Sequence, residues 1–156
     1  VTTMVETFFG GVVEKPAANF VIALDQKGLI YFIKEYRYPI KKTILQLPAG
    51  STDKNKNSLA TAKNELFEET GLKAKRWKKL GKFYIAPGHE SVYANVFLAT
   101  RIDASQLNKP RRSADELILR TIKLPIAKIK QLIGSGKIEC GITLAALNLY
   151  FQIYEY

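Results

Sequence analysis

A chain of 156 residues is long enough for one domain with one core, and a hydrophobic content of 47% argues for packing rather than disorder. No run approaches the ~18 apolar residues of a membrane span, no succession at the start reads as a signal peptide, and the single cysteine, Cys140, excludes an intrachain disulfide or a cysteine zinc cluster and fits a reducing cytoplasm. The 24 Lys and Arg against 14 Asp and Glu give a formal net charge of +10, which favours polyanionic partners such as nucleotide phosphates or nucleic acid.

In chain order, FVIALD (20–25) and LIYFIKEYRY (29–38) are β-branched and aromatic runs separated by QKG, a hairpin turn. ILQLPAG (44–50) is a short strand broken by Pro48 and Gly50. After the polar STDKNKN comes a helix over 58–70, with Leu59, Ala62 and Leu66 on one face, Ser58 as its cap and Gly71 as its C-terminal stop. The stretch KAKRWKKLGK (73–82) holds six basic residues in ten, punctuated only by Trp77 and Leu80. That is more the pattern of a solvated surface than of a nucleic-acid platform. KFYIAP (82–87), YANVFLATRI (93–102) and ELILRTIKL (116–124) are strands. PIAKIKQLIGSG is a helix opened by Pro125, and ITLAALNLYFQIY (142–154) is an apolar terminal helix with Thr143 in its first turn. No repeat, low-complexity tract or linker interrupts the pattern, so a single mixed α/β domain is expected.

The stretch NELFEETG (64–71) is the one that local physics does not reward. Glu65, Glu68 and Glu69 stand at i, i+3 and i+4, spacings that let all three converge on one patch. Like charges so placed cost about 0.2–0.5 kcal/mol per pair. The negative end of the helix dipole opposes Glu68 and Glu69 by about a further 0.3–1 kcal/mol each. A divalent cation would reverse that balance, and oxygen ligands alone suit Mg²⁺ or Mn²⁺. The alternative is an acidic helix end paired with the chain's many lysines.

Read from Gly50, GSTDKNKNSLATAKNELFEETGL resembles the Nudix box: a Gly, a Glu six positions later, then Arg-Glu-aliphatic-any-Glu-Glu-any-Gly-aliphatic. Gly50, Glu65, Leu66, Glu68, Glu69, Gly71 and Leu72 match in register. The resemblance implies one Nudix domain over 1–156, with a mixed sheet sandwiched between helices. It also implies a divalent metal held by Glu65, Glu68, Glu69 and the carbonyl of Ala49, with Gly50 in the loop that receives the substrate diphosphate. Two positions depart from the pattern: Lys56 replaces the first Glu, and Asn64 replaces the Arg. An arginine fork that pairs with a carboxylate is not replaced by an uncharged amide, so a slower or more metal-demanding hydrolase is expected.

Outside the box, EYRYPI followed by LQLPAG, YIAPGHES with VFLAT, SADELILRTIKL and GKIECGITLAAL resemble, in order, the ADP-ribose pyrophosphatase branch of the family. They cover about residues 18–150. The resemblance implies water attack on one phosphorus of a nucleoside diphosphate sugar, releasing a nucleoside monophosphate and a sugar phosphate. Arg37 is the leading cation for the phosphates, Tyr36 or Tyr38 could stack on the base, and Glu90 beside His89 lies on a loop able to reach the pocket. The general base is either Asp115 or Glu116, where SADE resembles a loop of the branch, or a box carboxylate, Glu68 or Glu65. Relatives of the branch commonly dimerise, and Phe8-Phe9 with the apolar terminal helix leave room for a homodimer. A Nudix-like module that binds nucleotide or RNA with weakened catalysis is the alternative from a different class. An enzyme for another substrate, such as a dinucleoside polyphosphate or capped RNA, is the alternative within the family.

Overall fold

The computed structural model describes residues 16–52, 57–107 and 117–154. The first hairpin joins β1 (Ala18–Leu24) to β2 (Leu29–Arg37). Its turn is closed by the Asp25 carboxylate, whose Oδ1 accepts from the amides of Lys27 at 2.9 Å and Leu29 at 3.0 Å, while Gly28 takes the left-handed φ of 76°. A short 3₁₀ turn, Tyr38–Ile40, leads to β3 (Lys42–Gln46) and β4 (Ala49–Ser51). Helix α1 (Ser58–Thr70), strands β5 (Lys73–Tyr84), β6 (Tyr93–Asp103) and β7 (Ile118–Pro125), and helices α2 (Ile126–Gly134) and α3 (Gly141–Tyr154) complete the order.

The seven strands form one mixed sheet. β1 and β6 run parallel, in register from Ala18↔Ala94 to Ala23↔Ala99, and every other pairing is antiparallel. β1 and β2 pair at Ala23↔Tyr31 and Leu24↔Ile30, beside their turn, and then part. β4 takes over the vacated edge of β1 and β3 that of β2. The split that sequence pattern reads as one broken strand is therefore a handover: Pro48 has no N–H to give a ladder, and its carbonyl accepts instead from the Val21 amide at 2.9 Å.

Strand alternation sorts the core into two layers. Phe20, Ile22, Ile30, Phe32, Leu45, Leu47, Val96 and Leu98 pack on one face with Ile129 of α2 and Ala146, Leu147 and Tyr150 of α3. Val21, Ala23, Tyr31, Phe97 and Ala99 pack on the other face with Ala62 and Leu66 of α1. The expected sheet between helices is the architecture found. The apolar character of α3 is largely spent on the sheet, where Thr143, Ala146, Leu147 and Tyr150 are buried. Phe8 and Phe9, the other half of the expected dimer surface, lie outside the described residues. No helix among the described residues is long and apolar enough to cross a membrane.

One local reading is corrected and one is extended. The cap of α1 is Asn57, not Ser58: its side chain accepts from the Ala60 amide at 2.7 Å. The basic stretch 73–82 keeps its solvated basic side chains and is at the same time most of a twelve-residue strand. Among the described residues β5 pairs with β6 alone, so it is a sheet edge. Lys73, Lys75, Arg76, Lys78, Lys79 and Lys82 are all exposed along it. Charged side chains on an open edge discourage pairing with another chain, a reason for lysines in a strand that helix-or-strand propensity does not contain.

Gly71 ends α1 with φ 76°, and a Cβ added there would lie 1.9 Å from the carbonyl oxygen of Gln106. Gly71→Ala is therefore expected to lower the unfolding free energy in urea by about 1–3 kcal/mol. An unchanged midpoint and slope would contradict the close approach of this turn to the segment after β6.

Candidate functional site

The site is built where α1 lies across β4. An α-helix advances about 100° per residue, so the adjacent Glu68 and Glu69 cannot share a direction. Glu69 turns inward: it is buried, and its Oε2 accepts from the Ala49 amide at 3.0 Å. Glu65, one turn earlier and half-buried, lies against Gly50 so closely that a Cβ there would come 2.1 Å from its Cδ. Only a glycine permits that contact. Glu68 is exposed. The three carboxylates thus fan out from the β4 side of α1 towards solvent. Among the described residues no three His, Cys, Asp or Glu side chains form a ready-made metal cage.

The donor set nevertheless fits a hard divalent ion in its chemistry, being all carboxylate and carbonyl oxygen. A carboxylate that accepts one N–H bond keeps lone-pair sites for a cation. The Ala49 amide also changes the meaning of the box substitution. Asn64 is exposed on α1, and Glu69 is oriented by a main-chain amide of β4. Lys56, the other departure, lies outside the described residues.

A second polar group sits on the same face of the sheet, because Glu35 and Arg37 follow Tyr31 and Ile33 at period two. Glu35 is buried, 5% exposed. Its carboxylate accepts from Gln46 Nε2 at 2.5 Å and pairs with Arg37 Nη2 at 3.1 Å, while Arg37 Nε donates to Gln46 Oε1 at 3.2 Å. A buried carboxylate needs such partners to stay charged. Here they fix one edge of the Arg37 guanidinium, whose side chain remains 46% exposed. Tyr36 alternates to the opposite face, towards α2 and α3, and Tyr38 is exposed beyond the strand end. Sequence reasoning singled out Arg37 but missed Glu35 and Gln46. The signal available was a polar residue at an inward position of an otherwise apolar strand.

Three further features come to this end of the sheet. β2 runs antiparallel to β1, so Arg37 lies at the end where β1 begins and where Asn19 pairs with Gly50. β6 starts at the same end, with Ala94 opposite Ala18, which places the preceding turn and half-buried Glu90 there too. That turn is held by the amides of His89 at 2.9 Å and Glu90 at 3.0 Å, both donating to the Ala86 carbonyl. Asp115 and Glu116 lie outside the described residues; the chain resumes at Leu117, whose carbonyl accepts from the Tyr36 amide at 3.0 Å.

Comparison with known proteins agrees with this arrangement. The family model described as NUDIX domain matches residues 13–131. The chain is 31% identical over 144 residues to the ADP-ribose pyrophosphatase of Bacillus subtilis (strain 168), covering 92% of this chain and 76% of that protein. It is 29% identical over 144 residues, again with 92% and 76% covered, to the methanol dehydrogenase activator of Bacillus methanolicus. Among solved structures it is similar to one described as an ADP compounds hydrolase, with a TM-score of 0.75 and 21% identity over 90% of this chain and 71% of that one. The chain belongs to the NUDIX domain family. Within it, the chain is a pyrophosphatase, a hydrolase of phosphorus-containing anhydrides. Two relatives of equal coverage carry different names, so the substrate has to be argued from the site.

The seat of Glu65 on Gly50 yields a direct check. In Gly50→Ala the atoms that must move belong to the far end of a flexible side chain, so the thermal midpoint should shift by no more than about 4 °C. Turnover should fall about ten-fold or more, because Glu65 is displaced. Unimpaired turnover would remove Glu65 from the working site.

Proposed function

We propose that this chain is a divalent-metal-dependent hydrolase, using Mg²⁺ or Mn²⁺, that cleaves the pyrophosphate of ADP-ribose or a related nucleoside diphosphate sugar. The observation that carries the reading is that two box carboxylates, Glu65 and Glu69, are seated on Ala49 and Gly50 of β4, on the sheet face that also carries a pre-oriented Arg37. The name of the Bacillus subtilis relative supports the choice of substrate class.

Glu65, Glu68, Glu69 and the Ala49 carbonyl would hold the metal. When bound, a divalent ion neutralises the diphosphate and stabilises charge on the leaving oxygen. The chain's own residues do the rest. Arg37 presents its free N–H groups to phosphate oxygens, and with Glu35 and Gln46 already fixing its plane little ordering is left to occur on binding. Gly50 leaves room for the Glu65 side chain to lie on β4, at the entry of the loop that would receive the diphosphate. A water oxygen forms a bond to one phosphorus, and the bridging P–O bond breaks towards the other phosphate. The water proton passes to a carboxylate, for which Glu68 and Glu65 of α1 and Asp115 and Glu116 ahead of β7 are the candidates. Glu68 is the described one that solvent reaches most readily. Glu90, on the turn before β6 at the same end of the sheet, would be the contact from that side of the ligand.

The exposed lysines of β5 and the loss of the box arginine suit the second reading, a nucleotide- or RNA-binding module with weakened catalysis. A panel of ADP-ribose, other nucleoside diphosphate sugars, a dinucleoside polyphosphate and a capped RNA, incubated with and without Mg²⁺ or Mn²⁺, separates the two. Metal-dependent release of AMP and ribose 5-phosphate from ADP-ribose is expected. Metal-dependent product from none of the compounds would transfer the assignment to the binding module.

A further inference from the structure

On the α1 side of the sheet, two asparagines stand where the period-two pattern places core residues. Asn19 precedes Val21 and Ala23 on β1, and Asn95 precedes Phe97 and Ala99 on β6. They are 0% and 1% exposed and lie opposite one another in the parallel register. Asn95 Nδ2 donates to Asn19 Oδ1 at 3.1 Å and to Ser58 Oγ at 3.1 Å. Asn19 Nδ2 donates to the Gly50 carbonyl at 3.2 Å and to Thr52 Oγ1 at 2.7 Å. The donors of this pair therefore reach both flanks of the box loop: Gly50 and Thr52 where it leaves β4, and Ser58 where it enters α1.

Stability alone does not account for the pair. Asn95 Oδ1 and, three residues into α1 from Ser58, Thr61 Oγ1 are buried without a hydrogen-bond partner among the described residues. An unmet buried acceptor is costly, and it is carried here beside donors that reach Gly50, Thr52 and Ser58. What the asparagines supply is position. They fix the start of α1 against β4, and through the rigid helix they fix Glu65 on Gly50 and Glu69 on Ala49.

Resting on the metal-hydrolase reading above, we infer that Asn19 and Asn95 are positioning residues, a buried carboxamide clamp that sets the separation of β4 and α1 and so the presentation of the box carboxylates to the divalent ion. They touch neither metal nor substrate. Their loss acts on metal affinity and turnover, and leaves the Michaelis constant, governed by Arg37 and the pocket, largely in place.

The test compares wild type, Asn19→Leu/Asn95→Leu and the milder Ser58→Ala, which removes one end of the clamp at a half-buried position without touching the sheet. Mn²⁺ affinity of the substrate-free protein is read by electron paramagnetic resonance titration, amide hydrogen exchange by segment, and kcat and KM on the substrate found in the panel. The double variant should bind Mn²⁺ about ten-fold more weakly or worse, lose kcat by a similar factor with KM within about three-fold, and exchange faster at 50–52 and 58–61 than elsewhere. Ser58→Ala should move the same quantities less and in the same directions, and it decides the matter if the double variant does not fold. Wild-type Mn²⁺ affinity and kcat in Ser58→Ala, or a loss spread evenly over the sheet in the exchange data, would overturn the clamp. A wild type that binds no Mn²⁺ would instead defeat the metal reading, and the exchange pattern would then judge the clamp by itself.

Discussion

The contact of α1 with the three-residue strand β4 is the constraint on which the rest of the site depends. A glutamate near the C-terminal end of a helix is opposed by the helix dipole, and a buried one is opposed more strongly by lost hydration. Glu69 is kept there by the amide of Ala49, a donor that costs no side-chain ordering. Gly50 lets the stem of Glu65 come to rest on the strand. Neither arrangement would be available had β3 continued as one strand. The proline that ends β3 and hands the pairing over to β4 is therefore as much a part of the site as the carboxylates.

The same face of the sheet shows how the fold separates stability from function. Towards the β1–β2 turn it is apolar, with Val21, Ala23, Tyr31, Phe97 and Ala99 under α1. Towards the other end the inward positions turn polar, with Asn19, Asn95, Glu35 and Gln46 all buried and hydrogen-bonded in two pairs, Asn19 with Asn95 and Glu35 with Gln46. Buried polar groups need such pairing to be tolerated. The opposite face carries an apolar layer under α2 and α3, and a polar contact reaches inward from it: the Thr143 hydroxyl accepts from the Leu47 amide at 3.1 Å, in the handover between β3 and β4.

Local pattern made a good part of this legible. Helix spacing, a polar loop ahead and a glycine behind define α1 over 58–70, and the box residues fall within it at spacings that only a helix makes meaningful. The β1–β2 hairpin is announced by QKG between two β-branched runs. What local pattern hides is what depends on distant partners. The lysines of β5 obscure a strand whose existence rests on pairing with β6. Asn57 rather than Ser58 caps α1, and Ser58 instead accepts from Asn95, 37 residues away. Arg37 looks like a free cation in EYRYPI, and only the β2–β3 register brings Gln46 beside Glu35 to hold it. Glu65, Glu68 and Glu69 look convergent at i, i+3 and i+4, but the inward pull of β4 on Glu69 and the helical turn between neighbours spread them.

The central claim is that these spread carboxylates are drawn together around a doubly charged ion beside β4. A crystal structure grown with Mn²⁺, with the ion placed by its anomalous scattering, tests it most directly. The account predicts an anomalous peak bound by oxygens of at least two of Glu65, Glu68 and Glu69, with the Ala49 carbonyl alongside. A saturating Mn²⁺ concentration that leaves no peak among them, with the three carboxylates still fanned apart, would contradict it.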